Sequence, residues 1–380
     1  KILRDFVPDY DAAAIERLRD AGAILLGKAG LHELAYGVTS NNPHFGAVHN
    51  PWDASRIPGG SSGGSTAALA ADLCTFALGS DTGGSVRIPA SFCGVVGLKP
   101  TFGRISRYGV FPLGHTLDHV GHFGWSVADV LAICEVLAGA DARDDSSASE
   151  PLPRLELPAD PKLKGFRIGV PSNYYFERLQ PEVDAAVRAA VKTLRGLDAE
   201  VQEVEIPEIE DFTVLSRLIL LPEATALHRT RLKSRRADIG PDVLALLDQG
   251  QFVLATDYLD AQRRRRQLIE NLNRLFDRVQ AIVTPTTPTT APKIGQTTIE
   301  IAGRQEDTRL ASTRCVRALN MAGVPALSVP CGFDTQGLPI GLQIFGRAFD
   351  ESSVLQVGHA YEQASEWRKR RPKVTAPQAV

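Results

Sequence analysis

Apolar positions along this chain alternate between helical spacing and unbroken runs, and most of the predicted elements follow from that contrast. Ile15 and Leu18 lie a helical step apart behind Asp11, a capping residue, and Gly22 stands where that first helix would end. The apolar run AILLGK (23–28) then predicts a buried strand. Helix is expected over 65–72, with strands over 74–79 and 95–98. Ser126 and Asp129 form a capping-box variant ahead of VADVLAICEVLAG (127–139). The polar, proline-rich stretch 141–165 reads as an exposed connection, FRIGV (166–170) as a strand, and Val183, Val187, Val191 and Leu194 as one face of an amphipathic helix. From about 207 to 280 the pattern is mostly helical. Arg263 to Arg266 point in different directions around such a helix and read as a solvated face. AIVTPTTP (281–288), ALSVPC (326–331) and GLPIGLQIFG (337–346) return to sheet character, and SSVLQVGHAYEQA (352–364) closes with a helix. Alternating helix and strand places the chain in the α/β class, with a sheet covered by helices on both faces.

Composition changes this picture little. A net charge of −2 over 380 residues provides no general field for holding nucleic acid or an anionic membrane. The five cysteines are scattered without a CxxC pair, as expected of reduced thiols in a cytoplasmic protein and not of a disulfide framework or a zinc site. No apolar run has the length of a membrane-spanning helix. Lys1 is not a start methionine, which implies that chain precedes it.

Candidate chemistry concentrates in two Gly/Ser-rich loops, GGSSGGS (59–65) and GSDTGGS (79–85), separated by a short α/β unit. Glycine lets backbone amides approach a ligand closely. Gly83 and Gly84 precede Ser85 just before VRIPASFCGVV, which could begin as a helix, so several free amides would point at one spot. Such a nest stabilises an anion, either a phosphate or the oxyanion of acyl transfer. A phosphate loop would need GxxxxGK[ST], and neither loop supplies the lysine. The segment HTLDHVGH (115–122) offers His115, His119, His122 and Asp118 for a Ser-His-Asp triad or a metal. No further ligand group at suitable spacing and no GxSxG turn accompanies them, so they read as loop residues near the site entrance.

GGSSGGSTAALAA, followed by GSDTGGSVRIPASFCGVVGLKPTFGRIS, resembles the amidase signature family over a long and nearly unbroken match. The resemblance implies one N-terminally incomplete domain over 1–372, in which 151–280 is a variable, mostly helical region over the site, and a tail at 373–380. It also implies a mixed, largely parallel sheet. Ser85 would be the nucleophile and Ser61, behind a cis peptide, the proton relay. The amides of Thr82, Gly83 and Gly84, with that of Ser85, would form the oxyanion hole. Leu34 would line the pocket, and Ser62, Asp81 and Arg87 would hold the nucleophile loop. The family's basic lysine lies in a segment matching chain upstream of residue 1. Lys28 matches a strand-end position that is not catalytic in relatives, and Lys99 reads as structural.

The expected reaction is hydrolysis of a carboxylic amide through a serine acyl-enzyme, with no metal or organic cofactor. The expected partner is a small-molecule amide, with neither nucleic acid nor membrane, the chain acting alone or as a homodimer. Glutaminase-type subunits of tRNA amidotransferases favour M-D-E-F where this chain has LHELAYG (31–37), and R-Q-P where it has Arg87-Ile88-Pro89. Those departures favour a free-standing amidase. A protein of the amidotransferase kind, and a non-catalytic relative that holds a small carboxylate, stay as alternatives.

Overall fold

An eight-stranded sheet runs through the computed structural model, which describes residues 1–374. In spatial order its strands are Ala77–Asp81, His119–Gly124, Val96–Lys99, Ala326–Phe333, Pro339–Gly346, Ala281–Pro285, Arg167–Pro171 and Glu200–Val204. Side chains alternate between its faces, as strand geometry requires. Ala281 and Val283 enter the core under helices Val127–Leu137, Pro181–Gly196 and Glu351–Gln363, whereas Ile282 enters the core formed with Ile209–Ser234, Ala255–Leu275 and Arg317–Ala322. Burial on both faces explains why the central strands read as continuous apolar runs.

The mixed sheet between helix layers is the architecture the alternating pattern predicts. Pairing is parallel only where Arg167–Pro171 meets its two neighbours, and antiparallel at the other junctions, so the antiparallel share exceeds the sequence expectation. Alternation of element types does not fix strand direction. The connection between Ala326–Phe333 and Pro339–Gly346, for instance, is a short turn, which joins antiparallel neighbours.

Two local expectations are corrected. Residues 23–28 belong to no strand, and Ile24, Leu25 and Leu26 are 84%, 60% and 73% exposed. An apolar run is buried only where a neighbour covers it, and here the run borders a groove of about 1180 Å³ that also touches Leu78 of the sheet's edge strand and reaches Ser62. Asp11 does not cap the first helix, Ala13–Asp20, because its carboxylate pairs with Arg19 at 2.5 Å. Gly22 ends that helix with φ +85°, as its position suggested. The Ser126–Asp129 capping box is formed in both directions. The expected tail at 373–380 lies, from residue 375 onward, outside the described residues.

Candidate active site

The first Gly/Ser loop is threaded through the segment that precedes it. Its Gly60–Ser61 peptide is cis. The His32 amide donates to the Ser61 carbonyl at 3.0 Å, and the Ser40 hydroxyl lies 2.8 Å from the Gly59 carbonyl and accepts from the Gly63 amide at 3.1 Å. Gly64 has no alternative residue here: a Cβ would stand 2.2 Å from the Gly30 carbonyl oxygen. Ser61 is thereby held in place, 1% exposed.

The second loop is wound around the buried carboxylate of Asp81. It accepts from the amides of Gly84 (2.7 Å), Val86 (3.1 Å) and Arg87 (3.4 Å), and from Arg87 Nε and Nη2, both at 3.0 Å. Burial alone would push Asp81 up, but the charge and hydrogen bonds of Arg87 prevail and hold it well below the usual carboxylate range. The remaining guanidinium N–H groups of Arg87 reach Val316 O, Gln343 Oε1 and Asn320 Oδ1, so every donor of this buried cation has an acceptor. Ion pairs out of water persist only when satisfied this fully.

These constraints bring the two loops together. The Ser62 amide donates to the Ser85 carbonyl at 3.3 Å, and the Ser62 hydroxyl bonds both the amide and the carbonyl of Ser80. No hydrogen bond joins the hydroxyls of Ser61 and Ser85, a contact that in substrate-free sites is often long. The amides of Thr82, Gly83 and Ser85 find no protein acceptor among the described residues. The Gly84 amide, expected to join them, is instead taken by Asp81, because the carboxylate sits directly beneath the loop. Leu34 is half-buried and left-handed at φ 53°.

The histidine cluster is also corrected. His119 and His122 are buried on the strand His119–Gly124, not in a loop, and only His115 is exposed. Nδ1 of His119 faces the Leu117 carbonyl at 2.7 Å, and Nε2 of His122 donates to the Val130 carbonyl at 2.9 Å. Asp118 accepts from the Thr82 hydroxyl at 2.6 Å and from the Leu113 and Gly114 amides. It braces the loop that carries Ser85 and makes no triad. Lys99 is buried at its strand end, with Nζ on the carbonyls of Pro100 and Val324, and Lys28 is exposed. In the arginine run, Arg265 is not solvated: it bonds the carbonyls of Met321 and Thr116.

Sequence reasoning missed Asn320 and Gln343. Asn320 donates to both the carbonyl and the carboxylate of Asp81, at 2.7 and 2.8 Å, and Gln343 anchors Arg87. Both are polar residues inside apolar stretches, and that incongruity is the only signal they leave in the sequence.

Comparison with known proteins accords with this geometry. The Amidase family profile matches residues 1–355. A curated relative from Roseiflexus castenholzii, named as the A subunit of glutamyl-tRNA(Gln) amidotransferase, is 42% identical over 98% of this chain and 80% of its own length. Among solved structures, the protein of the same name from Thermotoga maritima aligns with TM-score 0.84 and 34% identity over 99% of this chain and 82% of that one. A structure described as a vestigial protein complex revealing the origins of an s-triazine catabolic enzyme aligns with TM-score 0.90 and 36% identity, over 99% and 81%. These findings overturn the expected partners, a small amide alone with no nucleic acid and at most a second copy of the chain. The relatives are by name subunits of a tRNA amidotransferase, and the complex is an assembly of proteins. With the family profile covering most of its length and relatives matching it almost end to end, the chain belongs to the amidase signature family.

Proposed function

We propose that the chain is the amide-cleaving subunit of a glutamine-dependent tRNA amidotransferase, with Ser85 as nucleophile. The Ser85 hydroxyl attacks the glutamine side-chain carbonyl, and its proton passes through Ser61 to a lysine. Charge developing on the carbonyl oxygen is met by the amides of Thr82, Gly83 and Ser85, and losing one such donor typically costs about 10²- to 10³-fold in rate. Collapse of the intermediate breaks the C–N bond and transfers the proton to the departing nitrogen. The ammonia passes to a partner-bound acceptor, and water then releases glutamate from the acyl-enzyme. Lys99 holds its Nζ on two backbone carbonyls and Lys28 is exposed, and the reading assigns the base to neither.

The observation that carries this reading is the pair of serine loops, joined by a backbone hydrogen bond beneath amides without protein acceptors. The relatives named as amidotransferase subunits direct it towards glutamine and tRNA. We assign the chain to the cytoplasm, in keeping with its five unpaired cysteines. Its test is to copurify the full-length protein with its partner chains and assay glutamine-dependent amidation of glutamyl-tRNA. Replacing Ser85 by alanine should abolish both the transfer and labelling by a fluorophosphonate. Retained turnover in that variant ends the assignment.

The departures at 31–37 and 87–89 favour a second reading, hydrolysis with ammonia released to water. Ile88 is fully buried against Gly84, so this position offers a ligand no polar group. Ser85-dependent ammonia release without partner chains, and no transfer to tRNA, would select it.

A further inference from the structure

Two buried arginines flank the nucleophile loop, and their surroundings differ sharply. Arg87 satisfies all its donors. Arg317, which opens the helix Arg317–Ala322 and is only 8% exposed, makes a single side-chain hydrogen bond, from Nη2 to the Thr313 hydroxyl at 2.9 Å. Its Nε is buried with no acceptor, and Nη1 bonds no protein group, among the described residues. Arg317 makes no ion pair with any described residue, and neither do Arg217 and Arg309, whose charges reach it. Burial and those two charges push Arg317 down to about 10, which leaves it a cation at neutral pH. Nearby Tyr36 is raised to about 12 by burial and so stays a neutral phenol, unable to serve as a counter-ion.

A buried guanidinium with bare N–H groups is costly, and among the described residues neither a carboxylate nor a carbonyl accepts from it. Its position says what completes it. A Cβ built on Gly83 would meet Arg317 Nε at 3.9 Å and nothing else within 4 Å. The open space above Gly83, where the carbonyl to be cleaved would lie, is therefore walled by this cation.

We propose that Arg317 anchors a carboxylate carried by the substrate, so that the site takes anionic carboxamides, with the carboxylate a few carbon atoms from the scissile carbonyl. The guanidinium N–H groups left unmet, Nε among them, are offered to that group while the Thr313 hydroxyl accepts from Nη2. The inference rests on the acyl-enzyme reading for where the amide lies. It adds the residue that selects the acyl group.

The test uses succinamate, which ends in a carboxylate, and butyramide, which does not. In the full-length Ser85→Ala protein, calorimetric titration should find succinamate bound about 100-fold more tightly than butyramide, the scale of a desolvated charge-assisted contact. Adding Arg317→Met should remove that advantage, and Arg317→Lys should restore part of it, which a purely structural role would not. With Ser85 intact, Arg317→Met should raise KM for succinamate far more than it raises KM for butyramide. Equal binding of the two amides by the Ser85→Ala protein overturns the proposal, as does succinamate binding that is indifferent to Arg317→Met. If the Met variant fails to fold, the two-amide comparison decides alone. Absence of Ser85-dependent ammonia release from glutamine would remove the acyl-enzyme reading, and the binding comparison would still judge the anchor.

Discussion

The Ser62 amide donates to the Ser85 carbonyl across 3.3 Å, tying the loop that carries Ser61 to the loop that carries Ser85. The two serines lie far apart in sequence, yet one backbone hydrogen bond fixes their loops in register. The support beneath that contact is Asp81, which gathers three amides and Arg87 at a single carboxylate.

Asp81→Asn should therefore act on stability and activity together. It removes the charge that Arg87 was buried to meet, and breaking a buried pair on one side typically costs about 3–5 kcal/mol. Chemical denaturation should show a loss of that order. Ammonia release should fall even where the variant remains folded, because asparagine keeps one acceptor oxygen and the amides of Gly84, on Oδ1, and Val86, on Oδ2, can no longer both be met.

Adjacent glycines should respond oppositely to alanine. Gly84 has φ +118°, and a Cβ there would come within 2.3 Å of Val316 Cγ2 and 2.9 Å of Ile88 Cδ1. Gly84→Ala should lower the unfolding midpoint markedly. Gly83→Ala, with open space above it, should fold like the parent and alter only substrate affinity. Thermal melts of the two variants side by side check this, and equal melting temperatures would contradict it.

Acid should destabilise the protein through its buried histidines. Burial pushes His122 down to about 4, against the pull of its bond to Val130, and pushes His228 to about 4 as well, with help from the Arg231 charge. His119 is lowered too, chiefly by burial. In the unfolded chain a histidine protonates near pH 6.5. Between pH 6.5 and 4 the unfolded state thus binds protons that the folded state does not, and stability declines as pH falls. For the fully buried His122 the loss is roughly 3 kcal/mol, complete near pH 4. Urea midpoints at pH 4.5 and 7.5 should differ less in His122→Gln than in the parent, by that one residue's share, with His119 and His228 sustaining the rest.

Much of this molecule was legible without coordinates because its signals are local. The helix Pro181–Gly196 follows from the spacing of Val183, Val187, Val191 and Leu194, and the capping box from Ser126 and Asp129. Glycines at 59, 64 and 84 stand where close backbone approach or positive φ excludes a side chain. Other features could not be read. The run 23–28 is as apolar as any buried strand, but burial depends on neighbours that a run does not name. His119 and His122 looked like loop residues because strand pairing, not composition, put them in the core.

Residue order by itself determined the inventory: which segments coil, which extend, and where the two glycine-rich serine loops fall, since propensity, periodicity and steric tolerance all act over a few neighbouring residues. Tertiary structure alone decided which carboxylate each amide serves. Asp118 braces Thr82 from 36 positions away, Asn320 reaches Asp81 from 239 away, and Arg317 stands beside Gly83 with no counter-ion among the described residues. Those relations arise from packing, which brings groups into hydrogen-bonding range without leaving any regular spacing in the chain.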